Sequence, residues 1–192
     1  MPKLSIYVVK FGGSLFQSKY YDHWLDSLSD WCRTRAVVIV PGGGKLADEI
    51  RHLQQAIGLS NKAAHELALD AMRCQGKKLS NDLRISTKSI SLSGLVSNPA
   101  SKSFESGIWV PSSQEFYFSR MPENWSVTSD SIALWLANEI RCTELLLLKS
   151  CAPVAQNPLA WSGEGYVDDY FSSLIGRSTC PIRAVADHEE LR

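Results

Sequence analysis

The sequence predicts an α/β fold, a sandwich organised on a mainly parallel central sheet, and three observations carry that expectation. Ala36-Val37-Val38-Ile39-Val40 is a continuous apolar, largely β-branched run, as expected of a strand covered on both faces in a parallel sheet. Runs of this kind alternate with segments whose apolar residues recur every three or four positions, an order that fits right-handed strand–helix–strand crossovers. The apolar runs also end in residues that carry chemistry: Lys10-Phe11-Gly12-Gly13-Ser14, Pro41-Gly42-Gly43-Gly44 and Lys149-Ser150.

Taken in order, Ile6 to Val9 reads as a short buried strand, and Tyr21, Trp24, Leu25, Leu28 and Trp31 mark a helical stripe. After the strand at 36–40, Leu46, Ile50, Leu53 and Ile57 mark one face of a helix that Gly58 closes. Ser60 is placed to cap a further helix with the stripe Ala64, Leu67, Ala68, Ala71 and Met72, ending near Gly76. From Leu79 to Asn124 the pattern is poor and reads as loops with short β-like pieces at Ile108-Trp109-Val110 and Phe116-Tyr117-Phe118. Order returns at Ser129–Arg141, where Ile132, Ala133, Leu136, Ala137 and Ile140 share a helix face and Thr128 or Ser129 caps it. Glu144 to Leu148 is a buried strand, followed by a Pro/Gly/Ser-rich loop, a short helix near Asp168 to Leu174 and a last strand at Ile182 to Val185.

At 192 residues the chain fits one domain over 1–192. Its formal net charge of zero gives no overall basic field, so nucleic acid is not expected as a partner. No apolar run reaches the roughly 18 residues of a membrane span. Phe11-Gly12-Gly13 interrupts the amino-terminal apolar run, so no signal peptide and no membrane partner are expected, and the cytoplasm is the expected location. The five cysteines are scattered without a CxxC pair, so the sequence indicates neither a disulfide framework nor a zinc site, and no metal ligands are assigned.

Glycines let backbone N–H groups approach an anion closely, and a lysine beside them adds a full charge. Lys10 with Gly12, Gly13 and Ser14 is such a cradle in outline, and Gly42-Gly43-Gly44 opens a helix whose free N–H groups suit a second anion. Asp130 lies in the first turn of its helix, and Lys149 ends the late strand. Strand ends are where open α/β sheets bind ligands. Two lysines, two glycine nests and one carboxylate form a set for phosphoryl transfer: the lysines neutralise charge on the transferring group, and the carboxylate orients a lysine or holds magnesium. Neither GxxxxGK[ST] nor GxGxxG is present, which argues against a P-loop enzyme and a dinucleotide fold. His65-Glu66 opens like a zinc-protease motif, but position 69 is leucine.

Val8-Val9-Lys10-Phe11-Gly12-Gly13-Ser14, Val38-Ile39-Val40-Pro41-Gly42-Gly43-Gly44 and Val127-Thr128-Ser129-Asp130-Ser131-Ile132-Ala133 together resemble the amino acid kinase family, whose members include acetylglutamate, aspartate, glutamate, uridylate and isopentenyl phosphate kinases. The resemblance implies a three-layer αβα sandwich, ATP and Mg2+ as cofactors, and a homodimer or higher homo-oligomer. It implies that Lys10, Asp130 and Lys149 are catalytic and that Lys10, Gly12, Gly13, Ser14 and Lys149 meet the nucleotide phosphates. Gly42, Gly43, Gly44, His65 and Thr128 fall on the acceptor side. The chain is shorter than most of these kinases, which places the loss in the acceptor lid and nucleotide-side loops. No regulatory domains like those of aspartate kinase are expected, which argues against that member of the family.

Shorter phrases, Ala64-His65-Glu66-Leu67-Ala68, Trp125 to Ala133, Leu147-Leu148-Lys149-Ser150 and Gly165 to Phe171, resemble a small branch containing the aminomethylfuran phosphate kinase of methanofuran biosynthesis. This implies a small-molecule phosphate acceptor, (5-(aminomethyl)furan-3-yl)methyl phosphate, converted to a diphosphate. A phosphomonoester has a second pKa of about 6, so it is a dianion at neutral pH and needs no general base. A carboxylate acceptor needs none either, which leaves a kinase of an amino-acid-like carboxylate as the alternative. A non-catalytic nucleotide-binding or storage protein of the same fold is the reading from another class; Lys10, Asp130 and Lys149 together weigh toward an enzyme. Arg51 and Arg73 are further candidates for an acceptor phosphate, against the commoner role of solvated helix arginines. The six tryptophans are assigned to core and lid packing.

Overall fold

The computed structural model describes residues 5–83, 88–97 and 106–191. Six parallel strands form one sheet: β1 (Ile6–Phe11), β2 (Ala36–Pro41), β3 (Lys88–Ser89), β4 (Gly107–Ile108), β5 (Glu144–Leu148) and β6 (Ile182–Val185), in the order β3-β4-β2-β1-β5-β6. Between them run α1 (Tyr21–Thr34), α2 (Gly44–Ile57), α3 (Asn61–Asp82), α4 (Leu92–Ser97), α5 (Ser113–Ser119), α6 (Ser129–Ile140) and α7 (Phe171–Ile175). The expected three-layer sandwich is observed. Alternate strand residues divide between two cores: Val8, Val38, Val40, Leu145 and Leu147 face α3, α6 and α7. Val9, Phe11, Val37, Ile39, Leu146 and Leu148 face Trp24, Leu25, Leu28 and Trp31 of α1. β1 lies between β2 and β5, with Lys10 in register with Val40 on one side and Leu147 on the other. Three chemistry-bearing strand ends are thereby brought side by side.

Two expectations are corrected and a third is narrowed. α3 does not end near Gly76 but continues to Asp82, with Leu79 buried beneath it. A Cβ at Gly76 would stand 3.2 Å from Ile108 Cγ2 and 3.3 Å from Pro41 Cγ, so this glycine serves close helix-to-sheet packing rather than helix termination. Phe116-Tyr117-Phe118 lies in α5, not in a strand: Ser112 and Glu115 form a reciprocal capping box that sets the helix start, and this outweighs the aromatic β-propensity. The Ile108-Trp109-Val110 run contributes only Ile108 to a strand. The rest of the loop reading for 79–124 falls partly on residues 84–87 and 98–105, outside the described residues.

The expected helix α2 is present, and Gly58 closes it. Its apolar stripe is present, yet the helix contains no buried residue: Leu46, Leu53 and Ile57 are 39%, 43% and 64% exposed. Leu67 of α3 adjoins this face at 38% exposure, with Ile50, Ala71 and Cys74. Four of the tryptophans (Trp24, Trp31, Trp109 and Trp161) are core residues, and Trp135 packs against the core.

Candidate active site

The site lies at the carboxyl ends of β1, β2 and β5, where the two glycine segments meet. Gly12 N–H donates to Leu148 O at 2.9 Å and Gly42 N–H to Phe11 O at 2.8 Å, extending the ladders past the last strand residues. A Cβ on Gly13 would lie 2.5 Å from Gly44 N, and one on Gly42 would lie 2.5 Å from Gly13 N. The two loops therefore touch backbone to backbone, a contact that no larger residue permits. Gly44 adopts φ +57°, in the left-handed region where a side chain is strained. Among the described residues no side chain caps the first turn of α2, so its leading N–H groups are left for an anion. The segments read separately as nucleotide and acceptor contacts thus form one continuous floor, from which Ser14 Oγ donates to Ser150 Oγ at 3.2 Å.

Above this floor stands a buried ion triad. Lys10 Nζ is 2.8 Å from Asp130 Oδ1, and Lys149 Nζ is 2.8 Å from Asp130 Oδ2. Lys10 reaches it from near the end of β1, Lys149 from the residue after β5, and Asp130 from the first turn of α6, where the helix dipole favours a carboxylate. Burial alone would raise the Asp130 pKa, but the charges of Lys10 and Lys149 override it and hold the carboxyl below the usual range. Burial lowers the pKa of Lys149, and the Lys10 charge adds to that effect while Asp130 opposes it. Two ammoniums against one carboxylate leave a net positive charge in a poorly hydrated place, beside amides already directed at an anion.

Lys149 has a second anchor that the sequence does not reveal. Its Nζ also donates to Tyr166 O and lies 4.4 Å from the centroid of the Tyr166 ring. Tyr166 belongs to the loop carrying Asp168, whose Oδ2 accepts from Thr128 N–H at 2.8 Å, Thr128 Oγ1 at 2.8 Å and Ser131 N–H at 3.0 Å. Asp168 Oδ1 accepts from Ser131 Oγ and from Phe171 N–H. The sequence places a short helix near Asp168; that helix starts at Phe171, whose N–H the Asp168 carboxylate accepts, and the same carboxylate also caps α6 across the chain. The only sequence signal for this is an aspartate a few residues before a short apolar stripe, which does not identify its distant partner.

On the β2 side a cavity of about 220 Å³ opens against the glycine floor. Gly13, Ser14, Gly42, Gly43, Gly44, His65 and Thr128 line it, as do Ala47, Asp48, Arg51, Met72 and Trp125. His65 is only 6% exposed, packs 4.1 Å from the Phe116 ring centroid, and leaves Nε2 without a hydrogen-bond partner among the described residues. Burial lowers its pKa below the ordinary histidine value, against opposing effects of Glu123 and Glu66. Thr128 reaches the cavity wall, but its hydroxyl is committed to Asp168. Arg51 lies over the Trp125 ring at 4.3 Å, and Trp125 Nε1 donates to Gln54 Oε1 at 2.5 Å. Arg73 is not in this cavity; it pairs with Asp70 at 2.5 Å and donates to Pro111 O at 2.8 Å.

The sequence model described as the amino acid kinase family matches residues 5–158. The [5-(aminomethyl)furan-3-yl]methyl phosphate kinase of Methanocaldococcus jannaschii is 26% identical over 145 residues, which cover 74% of this chain and 64% of that one. The chain thus matches slightly less than two thirds of the length of that relative. Among solved structures, uridylate kinase from Archaeoglobus fulgidus matches with a TM-score of 0.72 at 15% identity, over 96% of this chain and 92% of that one. UMP kinase from Ureaplasma parvum matches with a TM-score of 0.69 at 14% identity, over 96% and 92%. At these identities the structural likeness speaks for the fold.

The triad makes a stability prediction. The depressed pKa of Asp130 stabilises the folded state above the ordinary carboxylate pKa, and that contribution is lost as pH falls through the lower, folded value. Asp130→Asn removes the shared partner of two buried ammoniums and should cost about 3–5 kcal/mol at neutral pH. Urea unfolding at neutral and acidic pH checks this: the deficit should shrink toward acid, and a variant as stable as the parent at neutral pH would contradict the triad.

Proposed function

We propose that this chain, which belongs to the amino acid kinase family, is an ATP-dependent small-molecule kinase that extends a phosphomonoester to a diphosphate. The observation that carries this reading is the Lys10–Asp130–Lys149 triad over two interlocked glycine loops. Phosphoryl transfer between two anions needs in-line positioning and charge neutralisation more than acid–base chemistry. ATP, when bound, supplies the γ-phosphoryl. On this reading Lys10 and Lys149 face the transferring group, and Asp130 fixes the direction of both ammoniums. The Gly12 and Gly42 amides are committed to Leu148 O and Phe11 O. It is therefore the amides of Gly13 and Ser14 that take the nucleotide phosphates, and those of Gly43 and Gly44 at the start of α2 that hold the acceptor's phosphate, with Gly12 and Gly42 allowing the close approach.

The net positive charge of the Lys10–Asp130–Lys149 triad suits the ATP phosphates, and the backbone contact of Gly13 with Gly42 and Gly44 fixes the two loops beside it. Both Asp130 oxygens face lysines, so Asp130 is better suited to orient them than to hold Mg2+. Among the described residues no group of three or more His, Cys, Asp or Glu is placed to hold a metal ion. Mg2+ would then travel with the nucleotide phosphates, as is usual for this ion.

The acceptor proposed is an aminomethylfuran phosphate, following the partial match to the kinase named for it. The cavity supports a small acceptor. Its volume of about 220 Å³ lies below the roughly 300–1,000 Å³ of pockets that take drug-sized ligands. That favours a single-ring phosphate over a nucleoside monophosphate. Arg51 and Asp48 line the same cavity, paired with each other at 3.4 Å, and an acceptor carrying both an anion and a cation can exchange into that pair. An amino-acid-like carboxylate remains the second reading for the same reason. A non-catalytic nucleotide-binding protein has no need of a second buried lysine on Asp130.

The proposed partner is a second copy of the chain, meeting the exposed apolar face of α2 and α3. Among the described residues no helix is long and apolar enough to cross a membrane. The cytoplasm is the proposed location.

ADP release from ATP and Mg2+ should be measured across aminomethylfuran phosphate, isopentenyl phosphate, UMP, acetylglutamate, glutamate and aspartate. Turnover with the furan phosphate, and loss of it in a folded Lys10→Ala variant, is the expected result. Turnover with a carboxylate alone would overturn the acceptor, and bound ATP without turnover on any acceptor would overturn the kinase. Light scattering tests the assembly: the parent should run as a dimer or larger, and Leu53→Lys with Ile57→Lys should lower its mass to that of one chain. A parent that is already monomeric at high concentration would contradict a self-association role for this face.

A further inference from the structure

The loop between β5 and α7 holds two parts of the triad at once. Tyr166 O accepts a hydrogen bond from Lys149, and two residues later the Asp168 side chain binds the α6 turn that carries Asp130. The loop itself is fixed independently: Tyr166 N–H donates to Trp161 O at 2.9 Å, Ser162 Oγ to Asp168 O at 2.9 Å, and Tyr170 N–H to Ser126 O at 3.0 Å. Asp130, Lys149, Tyr166, Asp168 and the start of α6 therefore form a closed circuit. Within that circuit Asp168 is the side chain that joins the loop to the helix turn.

An ordinary capping residue satisfies one or two N–H groups of its own helix. Here Thr128 already occupies the cap position, and its hydroxyl lies 3.5 Å from Asp130 N, at the edge of a hydrogen bond. Asp168 accepts five donors from three residues, using both oxygens, and it does so 40 positions away from the cap. That is more than α6 needs in order to start. It is what a loop needs in order to hold a helix turn and a lysine at a set separation.

We infer that Asp168 is a positioning residue of the proposed phosphoryl-transfer site, locking the Thr128–Ser131 turn to the Tyr166 loop so that Asp130 and Lys149 keep their facing geometry. The inference rests on the kinase reading above only for its catalytic readout. Its geometric content, the restraint of Lys149, is testable without turnover. Asp168 touches neither of the glycine loops by any side-chain hydrogen bond among the described residues, so its loss should leave nucleotide binding largely intact, whereas Thr128 on the acceptor side loses its partner.

The test is Asp168→Asn in the full chain, since an amide offers one acceptor oxygen where five donors reach both. Two readouts are paired: kcat with KM for each substrate, and the rate of Lys149 acylation by an acetyl N-hydroxysuccinimide ester, resolved by mass spectrometry. Loss of alignment by about an ångström costs roughly 100-fold in rate. The expected result is a fall in kcat of that order with the nucleotide KM nearly unchanged, and several-fold faster acylation of Lys149. Ser131→Ala, which removes a single donor, should move both readouts less and in the same direction, and it decides the matter if Asp168→Asn does not fold. A folded variant with unchanged Lys149 acylation, or with activity lost only in step with a lower Tm, would overturn the inference. If the parent transfers no phosphoryl group to any acceptor, the kinase reading falls, and the acylation rates still decide whether Asp168 restrains Lys149.

Discussion

The arrangement depends on one carboxylate shared by two lysines at the buried edge of a parallel sheet. Neither Lys10 nor Lys149 tolerates burial alone, and Asp130 is what lets both ammoniums sit near the floor of the site. The sharing leaves one positive charge in excess. A structural ion pair would be neutral; this one is left wanting an anion. Because each member comes from a different element, the triad also requires that β1, β5 and α6 be brought to one end of the sheet, which the β2-β1-β5 order does.

Beneath the triad a steric constraint acts with the electrostatic one. Gly13 touches Gly42 and Gly44 through their backbones, so the two glycine segments are held closer than side chains would allow. Two phosphates placed on such a floor repel each other, and the excess charge above them offsets that repulsion. In the proposed reaction the protein has little else to do than hold two anions in line and neutralise the charge that develops between them. On the proposed reading, the pocket beside the floor selects the acceptor through its small volume and the buried His65.

Much of this is legible in the chain because the strong signals are local. Val37–Val40 reads as a doubly covered strand from composition alone, and the glycine runs read as close approaches because consecutive glycines have few other uses. Gly76 and α5 mislead for opposite reasons. At Gly76 a tertiary contact with Pro41 and Ile108 uses the missing Cβ, whereas at Phe116–Phe118 a local capping box prevails over aromatic β-propensity. The exposure of Leu53 and Ile57 is not legible, since a helical stripe states that a face is apolar and not what covers it. The role of Asp168 is hidden for a related reason. Its partners are Thr128 and Ser131, and no spacing rule connects them.

The most direct test of the central claim is a crystal structure of the protein with ADP, Mg2+ and a planar metal fluoride that mimics the transferring phosphoryl group. The proposed mechanism predicts the fluoride within hydrogen-bond reach of both Lys10 Nζ and Lys149 Nζ, with Asp130 still between them and the ADP phosphates on the Gly13 and Ser14 amides. A nucleotide bound elsewhere, or a fluoride held by neither lysine, would contradict it.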